Sequence, residues 1–132
     1  LGVPKNPENP FYDMDKVYLD DGSPINPEGK NWVDPGLGGF LETLSETKPE
    51  WFAMAEENMG KHKVPTLRNV GKRPGNGFTK AYLHNGVFKS LKEVVHFYNT
   101  RDAEGFDWPE PEVAENINTD ELGDLGRIPA GE

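Results

Sequence analysis

Three histidines, His62, His84 and His96, are the only ones in the chain and the first candidates for metal or acid–base chemistry. No two of them have the spacing of a helical zinc site. The sequence also lacks a nucleophile elbow, a glycine-rich phosphate loop and a Ser/His/Asp order of the kind found in hydrolases. These residues therefore give little support to a hydrolase.

The charged residues divide the chain into a basic centre and acidic flanks. Between Lys61 and Arg101, nine basic residues face the single acid Glu93, whereas ten acids from Asp102 onward face only Arg127. This arrangement predicts either an anionic ligand at the centre or charge matching within the molecule. Nucleic acid is not an expected partner, because the basic segment has no recognised binding motif and the flanks would repel phosphate.

A block of motifs in the basic centre resembles a known family. The motifs are Lys-Val-Pro-Thr-Leu-Arg-Asn-Val at 63–70, Tyr-Leu-His-Asn-Gly at 82–86 and Ser-Leu-Lys-Glu-Val-Val-His-Phe-Tyr at 90–98. In this order they resemble the haem-pocket side of the bacterial di-haem cytochrome c peroxidases and their MauG-like relatives. Leu1-Gly-Val-Pro4 and the stretches at 34–39 and 57–60 also fit, so the resemblance covers about residues 1–126.

The resemblance implies the C-terminal part of a C-terminal c-type cytochrome domain. The expected fold is mostly α, a cytochrome c-like fragment with long Pro/Gly-rich loops. It would comprise a loop arm at 1–36, a haem-facing core at 37–101 and an acidic tail at 102–132. The implied cofactor is haem c. Because the chain has no cysteine, the Cys-x-x-Cys-His segment that attaches the haem is expected upstream of Leu1 or on another chain.

Within the Pro-Thr-Leu-Arg-Asn motif, the resemblance gives Arg68 the role of binding the haem propionates. A planar guanidinium suits a bidentate, charge-assisted contact with carboxylates; the alternative for Arg68 is a surface ion pair. Pro65 and Asn69 are expected to hold the shape of the loop. His84 is expected to hydrogen-bond a propionate or, as a second option, to ligate the iron.

The axial ligand of the haem iron is the second role that the resemblance assigns. Iron accepts His, Met or Tyr, and the register of the family's ligand falls on Tyr98, which MauG-like enzymes also use. The alternative is that Tyr98 packs in the core with an apolar stripe of α-helical spacing (Leu91, Val94 and Val95). Leu83 stands where many single-haem relatives carry a Met ligand, and Met59 in the preceding loop is a further candidate.

Calcium is a second cofactor suggested by the resemblance. The Thr79 hydroxyl and the Ala81 carbonyl occupy the positions of calcium ligands in the peroxidases, and oxygen ligands suit that ion. Ala81 stands where the family has proline. The acidic run at 13–21 lacks the alternation and the sixth-position glycine of an EF-hand, which favours a solvated loop.

Three helices are predicted to position these residues, at 37–44, 49–58 and 91–99. The last is the clearest, because Ser90 and Glu93 form a capping-box pattern in front of it. Six prolines predict that residues 1–36 are a loop. One helical turn is predicted from Thr66, a turn at 73–77, and a short final helix capped by Thr119.

The predicted function is electron transfer in a periplasmic protein, serving peroxide reduction or haem-based substrate oxidation. The expected partners are the haem-attaching segment and a small redox protein. The alternatives are a haem-free structural or binding subunit and an electron-transfer cytochrome without peroxidase activity. No apolar run approaches the roughly 20 residues that span a bilayer, and a start at Leu1 suggests a processed or clipped chain. A 34% apolar composition with 15 Gly and 12 Pro predicts a small core that needs a cofactor, metal or partner chain.

Overall fold

The fold was analysed in a computed structural model that describes residues 1–72 and 80–118. Three α-helices lie in these ranges: α1 (Gly36–Glu42), α2 (Pro49–Phe52) and α3 (Leu91–Thr100). Short 3₁₀ helices occupy Pro10–Lys16, Gly29–Asn31 and Glu56–Asn58. The remaining described residues form turns and extended loops, with isolated β-bridges but no sheet.

The helix pattern confirms two predicted helices and corrects the third. α3 begins after Ser90, and both halves of the capping box form between Ser90 and Glu93. The predicted helix at 49–58 is wrong in its length, because α2 ends at Phe52 and a separate 3₁₀ turn follows at Glu56. The expected helical turn after Thr66 is a hydrogen-bonded turn without a helix. Helices occupy a minority of the described residues, so the fold is loop-rich and non-β rather than clearly mostly α.

Two segments that the sequence assigns to loops have more structure than expected. Within 1–36, Asn9 caps the 3₁₀ helix Pro10–Lys16 by accepting the Phe11 N–H (3.1 Å), and Pro10 suits the first position of that helix. In the acidic tail, Pro111 forms an antiparallel bridge with Pro4. The turn predicted at 73–77 and the helix predicted after Thr119 lie outside the described residues.

The main core packs the N-terminal segment and residues 82–88 against α3. Val3, Phe88 and Phe97 are buried, and Trp108 closes the cluster by packing edge-on against both phenylalanines. The Trp108 indole N–H donates to the Thr100 hydroxyl (3.0 Å), which satisfies its polar atom at the edge of the core. The core is therefore small and is assembled from segments far apart in the sequence.

Contacts of residues 34–37 with residues 60–61 join α1 to the basic centre. The Leu37 N–H donates to the Lys61 carbonyl (2.8 Å), and the Gly60 N–H donates to the Pro35 carbonyl (2.9 Å). Gly36 has a φ of +54°, and a Cβ there would collide with the Lys61 carbonyl oxygen. Within residues 1–72 and 80–118, no helix has the length and apolar character needed to cross a lipid bilayer.

Candidate functional site

A tight turn at residues 82–88 presents His84 and Asn85. The Tyr82 N–H donates to the Phe88 carbonyl (2.8 Å), forming the antiparallel bridge that closes the turn. Leu83 adopts a φ of +67°, a left-handed conformation that few non-glycine residues take. The Asn85 side-chain oxygen accepts the Val87 N–H (3.1 Å). The turn thus fixes the direction of the His84 imidazole by backbone geometry.

Glu112 is the centre of a hydrogen-bond network beneath this turn. One carboxylate oxygen lies 2.8 Å from His84 Nε2 and accepts from the Asn85 amide (3.1 Å), while the other accepts the Tyr12 hydroxyl (2.7 Å). The Glu112 side chain is only 2% exposed. Asn85 also donates to the Pro4 carbonyl (2.8 Å). Three remote parts of the chain are thereby joined through one carboxylate.

Glu112 is ionised throughout the physiological range. Burial favours the neutral acid, but the hydrogen bonds from His84, Tyr12 and Asn85 outweigh it and lower the pKa of Glu112 to about 2. Burial, together with the bond to this carboxylate, raises the pKa of Tyr12 well above its ordinary value. Because a carboxylate only accepts hydrogen bonds, His84 donates to Glu112 from Nε2.

His62 and Asp34 complete a group around His84. The His62 and His84 rings stack, with 3.9 Å between centroids and 13° between planes. The ligand atoms of Asp34, His62 and His84 all lie within 4.8 Å of one another. Partial burial and the neighbouring His84 lower the pKa of His62. The fold therefore unites two of the three histidines, which their sequence spacing did not predict.

The loop that carries Pro65, Arg68 and Asn69 is exposed. Asn69 adopts a φ of +64° and its carbonyl accepts the Lys72 N–H (2.9 Å), so it shapes the turn at the end of the loop. The Arg68 backbone N–H donates to the Thr66 hydroxyl (3.3 Å). Within residues 1–72 and 80–118, the Arg68 guanidinium makes no hydrogen bond or ion pair.

Tyr98 is partly exposed on α3, beside the core residue Phe97. Its side of the helix also carries Val95, and the two residues are 40% and 51% exposed. The core position on α3 is instead Phe97, which is fully buried. The residues of the predicted apolar stripe therefore differ in burial: Val94 packs against the core, whereas Val95 and Tyr98 are partly exposed. Tyr98 lines a small cleft with the N-terminal residue Leu1 and with residues on or next to α3 (Phe97, Arg101 and Asp102).

The positions of Met59, Ala81 and Thr79 do not test their predicted roles as ligands of iron or calcium. Met59 is half-buried at the end of a 3₁₀ turn, where its carbonyl accepts the Asn116 amide (3.0 Å). Ala81 is exposed at the base of the 82–88 turn, beside Gly86. Thr79 lies outside the described residues. The calcium site and the Met59 ligand thus stay predictions.

Sequence reasoning assigned no role to Glu112, Tyr12 or Asp34. Glu112 was one of the ten acids of the predicted acidic tail, and the bridge between Pro4 and Pro111 places it beside the N-terminal segment. The one available signal is local, because Glu112 follows Pro109 and Pro111, which favour an extended strand-like segment. Its partners lie 28 and 100 residues away, and no local pattern indicates them.

Several curated proteins are similar to this chain. The methylamine utilization protein MauG of Paracoccus denitrificans (strain Pd 1222) is 41% identical over 86 residues, covering 54% of this chain and 21% of that protein. The cytochrome-c peroxidase IdrP2 of Pseudomonas sp. (strain SCT) is 30% identical over 76 residues, covering 58% of this chain and 19% of that protein. The cytochrome-c peroxidase IdrP1 of Denitromonas iodatirespirans is 28% identical over 102 residues, covering 75% and 23%.

No protein-family model and no solved structure matches the chain. The chain spans about a fifth of the length of the curated relatives that it matches. These relatives agree with the resemblance carried by the motifs at 63–70, 82–86 and 90–98. These similarities support the superfamily of the di-haem cytochrome c peroxidases and MauG-like proteins, which the motifs also indicate.

Proposed function

We propose that this chain forms one wall of a haem c pocket in a periplasmic protein that transfers electrons for peroxide reduction or haem-based substrate oxidation. The haem is attached through cysteines outside this chain. When bound, it supplies one-electron chemistry whose potential depends on the axial ligand. The chain supplies the surface that receives it and the residues that orient it.

The observation that carries this proposal is the division of α3 into two faces. Phe97 and Val94 pack into the core, whereas Leu91, Val95 and Tyr98 recur at i, i+4 and i+7 along another face. Val95 and Tyr98 on this second face are about half exposed. An exposed apolar helix face in a chain with so small a core marks a binding surface for an apolar group.

The loop at 63–70 adds the complementary polar contact. Val64 and Leu67 are 73% and 76% exposed, and the Arg68 guanidinium has no partner within the described ranges. The loop returns to α3, because a Cβ at Gly71 would lie 3.2 Å from the Leu91 side chain. Apolar side chains with an unpaired guanidinium suit a macrocycle that has two carboxylates on its edge.

Tyr98 is the proposed axial ligand. Its partial exposure argues against the alternative role of core packing, which Phe97 fills. Leu1 lines the same cleft as Tyr98, so the segment that the resemblance places next to the haem-attachment site is adjacent to it. His84 is engaged by Glu112 and His62, which supports a structural role for it rather than iron ligation. Met59 remains a second-choice ligand.

The whole protein is proposed to work with a small redox protein as electron donor or acceptor. Calcium at Thr79 and Ala81 is a secondary proposal. Neither rests on a contact among the described residues. The haem surface is thus the part of the function that the geometry supports best.

The test is a spectroscopic comparison of Tyr98→Phe with Tyr18→Phe in the complete protein. Tyr18 is 64% exposed and lies outside α3, which makes it a matched control. A pyridine haemochrome spectrum should show haem c, and Tyr98→Phe should change the low-spin spectrum and the potential while Tyr18→Phe leaves both unchanged. Absence of haem would refute the proposal in favour of a haem-free subunit.

Peroxide turnover with a reduced cytochrome then separates the enzyme from an electron carrier. A haem-containing protein that does not consume hydrogen peroxide or oxidise a second substrate is the carrier. An unchanged spectrum in Tyr98→Phe would refute the axial assignment alone. A matched pair, Arg68→Gln and Lys72→Gln, tests the propionate contact, which predicts a shifted haem potential only in Arg68→Gln.

A further inference from the structure

We propose that Asp34, His62 and His84 bind a divalent transition-metal ion, for which Zn²⁺ is the best-suited species. Their ligand atoms already lie within 4.8 Å of one another. Tetrahedral zinc ligands at 2.0–2.1 Å from the metal are about 3.4 Å apart, so only a small closure is needed. This site is independent of the proposed haem surface, which rests on Arg68 and Tyr98.

Two of the three ligands, Asp34 and His84, are positioned by a hydrogen bond that leaves a lone pair available. Glu112 holds the Nε2 atom of His84, so this ring would bind the metal through Nδ1. One Asp34 oxygen accepts the Gly36 N–H (2.9 Å), which leaves the other oxygen. The His62 ring makes no hydrogen bond within the described ranges. Three donors are therefore free to point toward a shared ion.

The Glu112 carboxylate behind His84 is the feature that distinguishes this group from a chance surface cluster. Metal-binding histidines usually donate their second ring N–H to a carboxylate, which fixes the tautomer and raises the basicity of the ligand. Glu112 takes this position at 2.8 Å with a side chain that is 2% exposed. Asn85 and Tyr12 donate hydrogen bonds to the Glu112 carboxylate. The orientation of His84 is therefore fixed without a bound metal.

His62 must turn for the ion to bind. The stacked rings are nearly parallel, whereas a metal lies in the plane of each imidazole that binds it. His62 lies on an exposed, extended loop, and its ring makes no hydrogen bond within the described ranges that would oppose this rotation. The ligand set of two imidazoles and one carboxylate leaves a coordination position for water, as in zinc sites of the His₂-carboxylate type.

The experiment is a titration of the complete protein with Zn²⁺, measured by calorimetry. The buffer contains Mg²⁺, which suppresses binding of Zn²⁺ to acidic residues on the surface. The wild type should bind one additional Zn²⁺ per chain at this site. His62→Ala should lower the affinity for this Zn²⁺ by about 10-fold to 100-fold. Asp34→Asn should lower it as well, although it keeps the oxygen that accepts the Gly36 N–H. His96→Ala is the matched control and should bind like the wild type.

Zinc K-edge X-ray absorption provides a second reading that haem iron does not disturb. It should show two imidazole nitrogens and oxygen ligands in the wild type, and one imidazole in His62→Ala. Haem content measured in parallel shows whether any loss comes from the haem site instead. Zinc binding that is absent, or that is equal in the wild type, His62→Ala and Asp34→Asn, would overturn the proposal.

Discussion

Replacing Glu112 with Gln should destabilise this chain far more than replacing a neighbouring acid. The variant keeps the size of the side chain and one acceptor oxygen, but its amide presents N–H groups where the carboxylate accepted them. With the amide oxygen facing Asn85 and His84, its N–H group meets the Tyr12 hydroxyl, which must change from donor to acceptor. The negative charge that strengthens all three bonds is lost. Glu110→Gln is the control, because Glu110 is exposed and only two residues away.

The size of the effect follows from the bonds that are lost or reversed. Glu112 receives three side-chain hydrogen bonds at 2.7, 2.8 and 3.1 Å. Hydrogen bonds to a charged group contribute about 1.5–3 kcal/mol each, although they are not additive within one network. Neutral hydrogen bonds contribute about 1 kcal/mol less each than bonds to a charged group, so we expect Glu112→Gln to lose about 3 kcal/mol of unfolding free energy. Glu110→Gln should stay within about 0.5 kcal/mol.

The assay is urea unfolding of both variants, followed by tryptophan fluorescence. Trp32 and Trp108 lie in the two aromatic clusters that the Glu112 network connects, so their emission reports on both. A loss below about 1 kcal/mol in Glu112→Gln, or an equal loss in Glu110→Gln, would refute the reasoning. Either outcome would mean that this carboxylate does not tie the N-terminal segment to the 82–88 turn.

Two further predictions test the local geometry. Gly36→Ala should lower the free energy of unfolding in urea by more than about 2 kcal/mol, because the new Cβ would collide with the Lys61 carbonyl and the φ is left-handed. The control is Gly22→Ala, which has a φ of +83° and nothing within 4 Å of the new Cβ, and it should lower the unfolding free energy clearly less. Equal losses in the two variants would contradict the collision. The hydrogen bonds from the Lys89 and Ser90 N–H groups lower the pKa of Glu93 below its ordinary value of 4.5. The ionised Glu93 therefore stabilises α3 fully above pH 4.5, and this stabilisation is lost as the pH falls through the lowered pKa. Circular dichroism melts from pH 6 downward should show this loss in the wild type and a flatter profile in Glu93→Gln, and parallel profiles would contradict it.

The parts of the fold that the sequence predicted are those encoded by neighbouring residues. At the start of α3, the side chains of Ser90 and Glu93 each accept a hydrogen bond from the other residue's backbone N–H. This capping box lies within one helical turn, so the sequence pattern is sufficient to place the start of the helix. The helix at 49–58 failed because local propensity does not show where tertiary contacts interrupt it. Ala55 is buried against α1 through Gly38, and the chain turns there instead of continuing as a helix.

The candidate metal group was not predictable from spacing for a similar reason. His62 and His84 are separated by 22 positions in the sequence, and Asp34 lies 28 positions before His62. Their meeting depends on the hydrogen bonds between residues 34–37 and 60–61 and on the closed turn at 82–88. A rule based on helical zinc spacing considers ligands on one element, whereas these come from three loops.

The two faces of α3 explain how so small a core can coexist with a binding surface. Phe97 gives the helix its anchor, and Thr100 and Trp108 close that side with a hydrogen bond. Folding therefore does not require Val95 or Tyr98 to be buried by the described residues. A carboxylate network at Glu112 supplies part of the cross-linking that a larger apolar core would otherwise provide. The side of α3 that carries Val95 and Tyr98, the proposed haem surface, is thus left uncovered by the described residues.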